Sequence, residues 1–161
     1  MSKVHEMIEK LSMVIATVFG IGYMPKCPGT AASLATAAVI FVLPEVDMAA
    51  RLMTIVWLFG MGLGAIIHAE KRLGVHDSPV IVIDEVCGMA IALLLVPKTL
   101  VWYGAAFALF RFFDIVKPSP IRDLERRITG AFGIMLDDVL AGLASMGIVL
   151  LVQRFLMTSQ V

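Results

Sequence analysis

The sequence predicts an all-α integral membrane protein: a helical bundle with about five spans and short interfacial helices. Three observations carry that expectation. Sixty per cent of the 161 residues are apolar and 16% are charged, against about 25% charged in an average soluble domain. The mean hydropathy is +0.93. Five stretches, 30–43, 52–67, 86–96, 99–110 and 139–152, contain no charged side chain. Too little polar surface is left to coat a soluble core of this size, and the length suits one domain, 1–161. Thirteen basic residues balance 13 acidic ones, and no basic patch suggests a nucleic-acid partner.

Residues 1–10 are mixed in charge and no small-residue cleavage site follows 11–19, so no secretory signal is expected. The stretch 11–23 is apolar but holds Gly20 and Gly22, which suits an interfacial or re-entrant helix within an N-terminal interfacial segment, 1–28. Pro28-Gly29-Thr30 reads as a turn with Thr30 as the N-cap of the first span. Ser78-Pro79 reads as an N-cap followed by proline in the first helical position. Pro118 ends the fourth span. Ser119-Pro120 opens a short helix over 120–129 with Ile121, Leu124 and Ile128 on one stripe, a pattern suited to the membrane interface. Gly60, Gly62, Gly64, Gly142 and Gly147 read as packing positions. Cys27 and Cys87 read as packing residues too, because their spacing suits neither a metal site nor a disulfide framework.

If the N-terminus is cytoplasmic and the five spans alternate, Lys3, Lys10, Lys26, Lys71, Arg72, Arg111, Lys117, Arg122, Arg126 and Arg127 lie inside. Arg51, Lys98 and Arg154 lie outside, a clear positive-inside bias. The same topology gathers polar residues at the cytoplasmic ends of the spans: Thr30 and Ser33, His76 and Asp77, Asp84 and Glu85, Arg111, Asp114 and Lys117, Asp137 and Asp138. Ionisable groups at membrane depth are costly, and clustered carboxylates cannot all stay charged without a cation among them. Hard oxygen donors without a Cys or His cluster suggest Mg²⁺, or Mn²⁺, rather than zinc. Arg111 and Lys117 suit phosphate oxygens, and Thr30 and Ser33 sit near a helix N-terminus that favours anions. Together these suggest a phosphorylated lipid headgroup. Plainer readings remain for each residue. Asp84 and Asp137 suit helix-terminus acids, Arg111–Asp114 an i, i+3 ion pair, Lys117 a snorkelling side chain, and His76 a loop histidine.

Four blocks in order extend the reading. They are 22–34 (GYMPKCPGTAASL), Val75-His76-Asp77 with Ile81-Val82-Ile83-Asp84-Glu85 and Gly88, 110–121 (FRFFDIVKPSPI), and 133–138 (GIMLDD) with Ala141-Gly142. Through them the chain resembles the phosphatidylglycerophosphatase A family of bacterial lipid phosphatases. Two departures, Ala32 and Ala131 in place of glycine, exchange small for small. The resemblance implies Mg²⁺-dependent removal of the terminal phosphate of phosphatidylglycerophosphate at the cytoplasmic face of the bacterial inner membrane. It implies a metal-binding set of Asp84, Glu85, Asp114, Asp137 and Asp138, with Asp77 at its border. Asp84, Glu85, Asp114, Asp138 and His76 are the expected catalytic residues, and Thr30, Ser33, Arg111 and Lys117 the expected phosphate ligands. The expected partners are an anionic phospholipid of the cytoplasmic leaflet and the membrane itself, and self-association is compatible with both. A CDP-alcohol phosphatidyltransferase-like enzyme is one alternative, though its Asp-x2-Asp-Gly-x2-Ala-Arg pattern is absent. A small divalent-cation or proton transporter is another, and it would need carboxylates near mid-membrane.

Overall fold

The computed structural model describes residues 3–119, 122 and 128–159. Among them are six α-helices and no strand: α1 (Lys3–Ala16), α2 (Pro28–Val42), α3 (Met48–Leu73), α4 (Ile83–Ala92), α5 (Leu100–Val116) and α6 (Ala131–Thr158). A 3-10 turn at Ile21–Tyr23 sits between α1 and α2.

Helices α3 and α6 are long and apolar enough to cross a membrane. At 1.5 Å per residue they reach about 39 and 42 Å, against a hydrocarbon layer of roughly 30 Å. Helix α3 starts at Asp47, whose side chain accepts the Ala50 N–H at 2.7 Å. It stops at Gly74, which turns left-handed at φ 66, a conformation that glycine adopts without steric cost.

Helix α4 is the hub. It has only 10 residues, about 15 Å, yet it packs on α2, α3, α5 and, most extensively, α6. Gly88 permits this: a Cβ there would lie 2.6 Å from the Asp138 carbonyl oxygen and 2.7 Å from the Phe110 ring. One flank of α4 buries Cys87 and Ile91 with Ala65, Ile66, Ala69 and Met135. The other buries Met89 and Ala92 with Ala106, Phe110, Ala141 and Val149. Beyond α4, Arg51 closes the far end of the bundle. Its Nε donates to the Val46 carbonyl at 3.0 Å and its Nη1 to the Leu94 carbonyl at 3.3 Å. Lys98 donates to the carbonyl of Leu43, where α2 ends.

Several local expectations are corrected. Thr30 is the third residue of α2 rather than its cap; Cys27 occupies the N-cap position at φ 49, with no side-chain cap. Cys27 is exposed, not packed, whereas Cys87 is buried. Ser78-Pro79 opens a turn closed by the Ile81 N–H on the Ser78 carbonyl, and helix α4 begins only at Ile83. The apolar run 86–96 is helical only to Ala92, and 11–23 is α-helical only to Ala16, with the 3-10 turn at Ile21–Tyr23 after it. Asp137 and Asp138 lie nearly two turns inside α6 rather than at its start. Gly62 and Gly142 do sit at close helix contacts, but Gly60, Gly64 and Gly147 have nothing within 4 Å. The expected helix over 120–129 lies outside the described residues apart from Arg122, Ile128 and Thr129.

Candidate active site

A cavity of about 530 Å³ opens at the end of the bundle where α2, α4 and α6 present their N-terminal parts and α5 its C-terminus. Asp84 and Glu85 enter it from the first turn of α4, where the helix dipole favours acids. Asp137 and Asp138 come from α6, and only 6% and 3% of their surfaces are exposed. Arg111 and Asp114 come from the last two turns of α5 and Lys117 from its left-handed cap. His76 and Asp77 come from the loop after α3.

The acids divide into two groups. Asp114 is ion-paired to Arg111, and Asp137 to Lys117. Asp84, Glu85 and Asp138 instead face one another, each offering a carboxylate oxygen within 4.8 Å of the other two. Asp84 Oδ1, Glu85 Oε2 and Asp138 Oδ2 are buried and accept no hydrogen bond. Buried acceptors are nearly always satisfied, so three converging hard oxygens without donors are the donor set a divalent cation such as Mg²⁺ or Mn²⁺ would use.

Arg111 borders this oxygen cluster. Its Nη1 lies 3.9 Å from Glu85 Oε1 and 3.5 Å from Ser33 Oγ, besides its contact with Asp114. Gly29, in the first turn of α2, makes room for the pair: a Cβ there would lie 2.8 Å from the Glu85 carboxylate carbon and 3.3 Å from Arg111 Nη1. Ser33 is fully buried and donates to the Gly29 carbonyl at 2.8 Å. It is not among the cavity's lining residues, so it supports Arg111 from behind, while Thr30 does line the cavity.

The structure therefore gathers Thr30, His76, Asp77, Asp84, Glu85, Arg111, Asp114, Lys117, Asp137 and Asp138 around one space. His76 and Asp77 form its rim and stand outside the three-oxygen group. Two residues escaped the sequence reading. Gly29 reads there only as part of the Pro28-Gly29-Thr30 turn, not as the residue that makes room for Glu85 and Arg111. Glu70, which bonds His76 and the Asp77 N–H, lies in the charged run Glu70-Lys71-Arg72, where nothing in the spacing singles it out.

Fold and site together define a class: an all-helical protein, two of its helices long and apolar enough to cross a membrane, with an acidic cavity flanked by Arg and Lys at one end. Sequence comparison then narrows it. The family model for phosphatidylglycerophosphatase A matches residues 14–153, and the chain belongs to that family, making it an enzyme of the phosphatase class. It is 38% identical over 138 residues to phosphatidylglycerophosphatase A of Escherichia coli K12, covering 84% of this chain and 79% of the relative. It is 36% identical over 157 residues to the protein of the same name from Haemophilus influenzae, covering 93% and 96%. A protein from Bacteroides thetaiotaomicron, provisionally named a phosphatidylinositol-3-phosphatase, is 43% identical over 143 residues, covering 84% and 89%. No solved structure is significantly similar.

Proposed function

We propose that the protein hydrolyses the terminal phosphate monoester of phosphatidylglycerophosphate, giving phosphatidylglycerol and inorganic phosphate, at the cytoplasmic face of a bacterial inner membrane. The single observation that carries this reading is the unpartnered oxygen cluster of Asp84, Glu85 and Asp138 beside Arg111. In this reading α3 and α6 span the bilayer, and the shorter α2, α4 and α5 complete a five-segment bundle with the cavity at the cytoplasmic end. The positive-inside bias of the sequence supports that orientation.

Asp84, Glu85 and Asp138 would hold Mg²⁺, with Mn²⁺ an acceptable substitute, and Asp114 and Asp137 complete the acidic wall around it. When bound, the ion supplies Lewis-acid neutralisation of the phosphate and a more acidic water. The chain's own groups do the rest. Arg111, held by Asp114 and backed by Ser33, faces the transferring phosphoryl group and offsets its charge. Lys117, paired with Asp137, adds a second cation to the cavity lining. Thr30 and the first-turn amides of α2 favour the phosphate's remaining oxygens. Water oxygen bonds to phosphorus as the bond to the glycerol oxygen breaks. A cavity carboxylate orients the water and passes its proton on to the leaving alkoxide, while His76 at the rim faces the headgroup. The lipid tails stay in the bilayer beside the bundle.

The test is phosphate release from phosphatidylglycerophosphate by the protein purified in detergent, with Mg²⁺ or with EDTA. Release in Mg²⁺ or Mn²⁺ that EDTA abolishes is the expected result; no release from the wild type overturns the function. Running phosphatidylinositol 3-phosphate in parallel asks whether the headgroup discriminates. A reporter fused after Arg127 is expected on the cytoplasmic side.

A further inference from the structure

Helix α3 ends at Leu73, and Gly74 turns the chain, its N–H bonded to the Glu70 carbonyl at 2.8 Å. Three residues later Asp77 adopts φ 50. That left-handed conformation is unfavourable for a residue with a Cβ and persists where the surroundings enforce it. Glu70 provides the enforcement. Its Oε1 accepts the Asp77 backbone N–H at 3.0 Å and also bonds His76 Nδ1. The backbone of Glu70 closes the helix, and its side chain closes the loop. That side chain is only 19% exposed, while His76, at 61%, stands at the solvent edge of the cavity.

We propose that Glu70 is a positioning residue: it holds the 74–77 turn so that Asp77 and His76 form one wall of the cavity, and through them it governs capture of the phosphorylated headgroup. The inference rests on the phosphatase reading above and adds to it a residue that touches no substrate. With Nδ1 bonded to Glu70, His76 has Nε2 left to offer the substrate. Because His76 and Asp77 stand outside the Asp84–Glu85–Asp138 oxygen group, the effect of Glu70 falls on KM more than on kcat.

The experiment compares Glu70→Ala and Glu70→Gln, and adds Glu70→Ala to a His76→Ala/Asp77→Ala background, all as full chains in detergent. Glu70→Ala is expected to raise KM for the lipid roughly three- to tenfold, the scale of one or two lost hydrogen bonds, with kcat changed by less than about twofold on the same scale. Glu70→Gln keeps an Oε1 acceptor and is expected to restore the wild-type KM. In the His76→Ala/Asp77→Ala background Glu70→Ala is expected to add nothing, the signature of residues acting as one unit. Amide exchange at Asp77 gives a readout that needs no activity: slower in the wild type and Glu70→Gln than in Glu70→Ala. If Glu70→Ala does not fold, Glu70→Asp, one methylene too short to reach both partners, takes its place with the same expectations. An unchanged KM, an undiminished KM effect in the double-variant background, or unchanged loop exchange each overturns the proposal. A wild type that releases no phosphate overturns the phosphatase reading instead, while the exchange data still report on the Glu70 clamp.

Discussion

The two ends of the hub helix use charge in opposite ways. At its C-terminal end Arg51 and Lys98 donate to the carbonyls of Leu94 and Leu43, just past the ends of α4 and α2 where acceptors are left open, and of Val46 just before α3. Charge there completes the fold. At its N-terminal end Asp84, Glu85 and Asp138 bring together buried oxygens that accept nothing, which the fold alone would disfavour. A structural end satisfies its polar groups internally, and a reactive end holds some of them unsatisfied. Substitutions at the two ends should therefore separate stability from activity.

The largest effect is expected from Asp138→Asn. Removing one hard donor from the oxygen cluster should lower phosphate release at least roughly a hundredfold. The thermal unfolding midpoint should not fall, because the change relieves like-charge crowding without breaking a hydrogen bond of Asp138 Oδ2. A variant that loses activity and unfolds earlier would show that the acid is structural and would erase the contrast between the ends.

Gly88→Ala comes next, because it strikes both properties. The new methyl group would collide with the Asp138 carbonyl and the Phe110 ring, forcing α4 and α6 apart at a cost of about 1–3 kcal/mol. The same shift separates Asp84 and Glu85 from Asp138, and displacements near 1 Å reduce rates by roughly ten- to a hundredfold. Unfolding and phosphate release, measured on the same sample, should fall together.

Arg51→Gln tests the structural end alone. Losing its bonds to Val46 and Leu94 should cost about 1 kcal/mol, read as an unfolding midpoint lower by about 2–4 °C. Release of phosphate per folded molecule should match the wild type. A selective loss of activity would mean that the two ends are coupled through α4.

How far these ends were legible in the sequence depends on contrast with the background. Asp84-Glu85 and Asp137-Asp138 stand out because acids interrupt apolar stretches, and their meeting followed from one assumed topology. Glu70 carried no such contrast, since it lies in a charged helix end and its partners are set by a loop conformation that spacing alone does not encode. The length of α4 was hidden for the opposite reason. Leu93, Leu94, Leu95 and Val96 prolong the apolar run past Ala92, yet the helix has already ended and Pro97 follows. Hydropathy measures what the membrane tolerates, not where backbone hydrogen bonds stop. The cap at Cys27 was missed because cysteine is not a capping residue by chemistry; the left-handed backbone there serves the entry of Pro28 and Gly29 into α2.

The smallest effect sharpens the comparison at the outer surface. Gly60 and Gly64 lie one turn apart on α3, on a face with Met53, Val56 and Trp57 exposed, and a Cβ at either glycine meets nothing within 4 Å. Gly62, between them, faces the other way, where a Cβ would lie 2.7 Å from Met135 Sδ. A single chain surrounded by lipid should thus accept Gly60→Ala and Gly64→Ala with no loss, and even gain up to about 1 kcal/mol from the better helix former. Gly62→Ala should destabilise, because Met135 has to move. The measurement is the unfolding midpoint of the three variants together with their mass in detergent. If the two outward substitutions lower the midpoint and shift the mass toward a monomer, another copy of the chain closes that face, as small residues spaced by four allow. In that case the exposed apolar surface of α3 is an interface, and its glycines are as tightly constrained as Gly88.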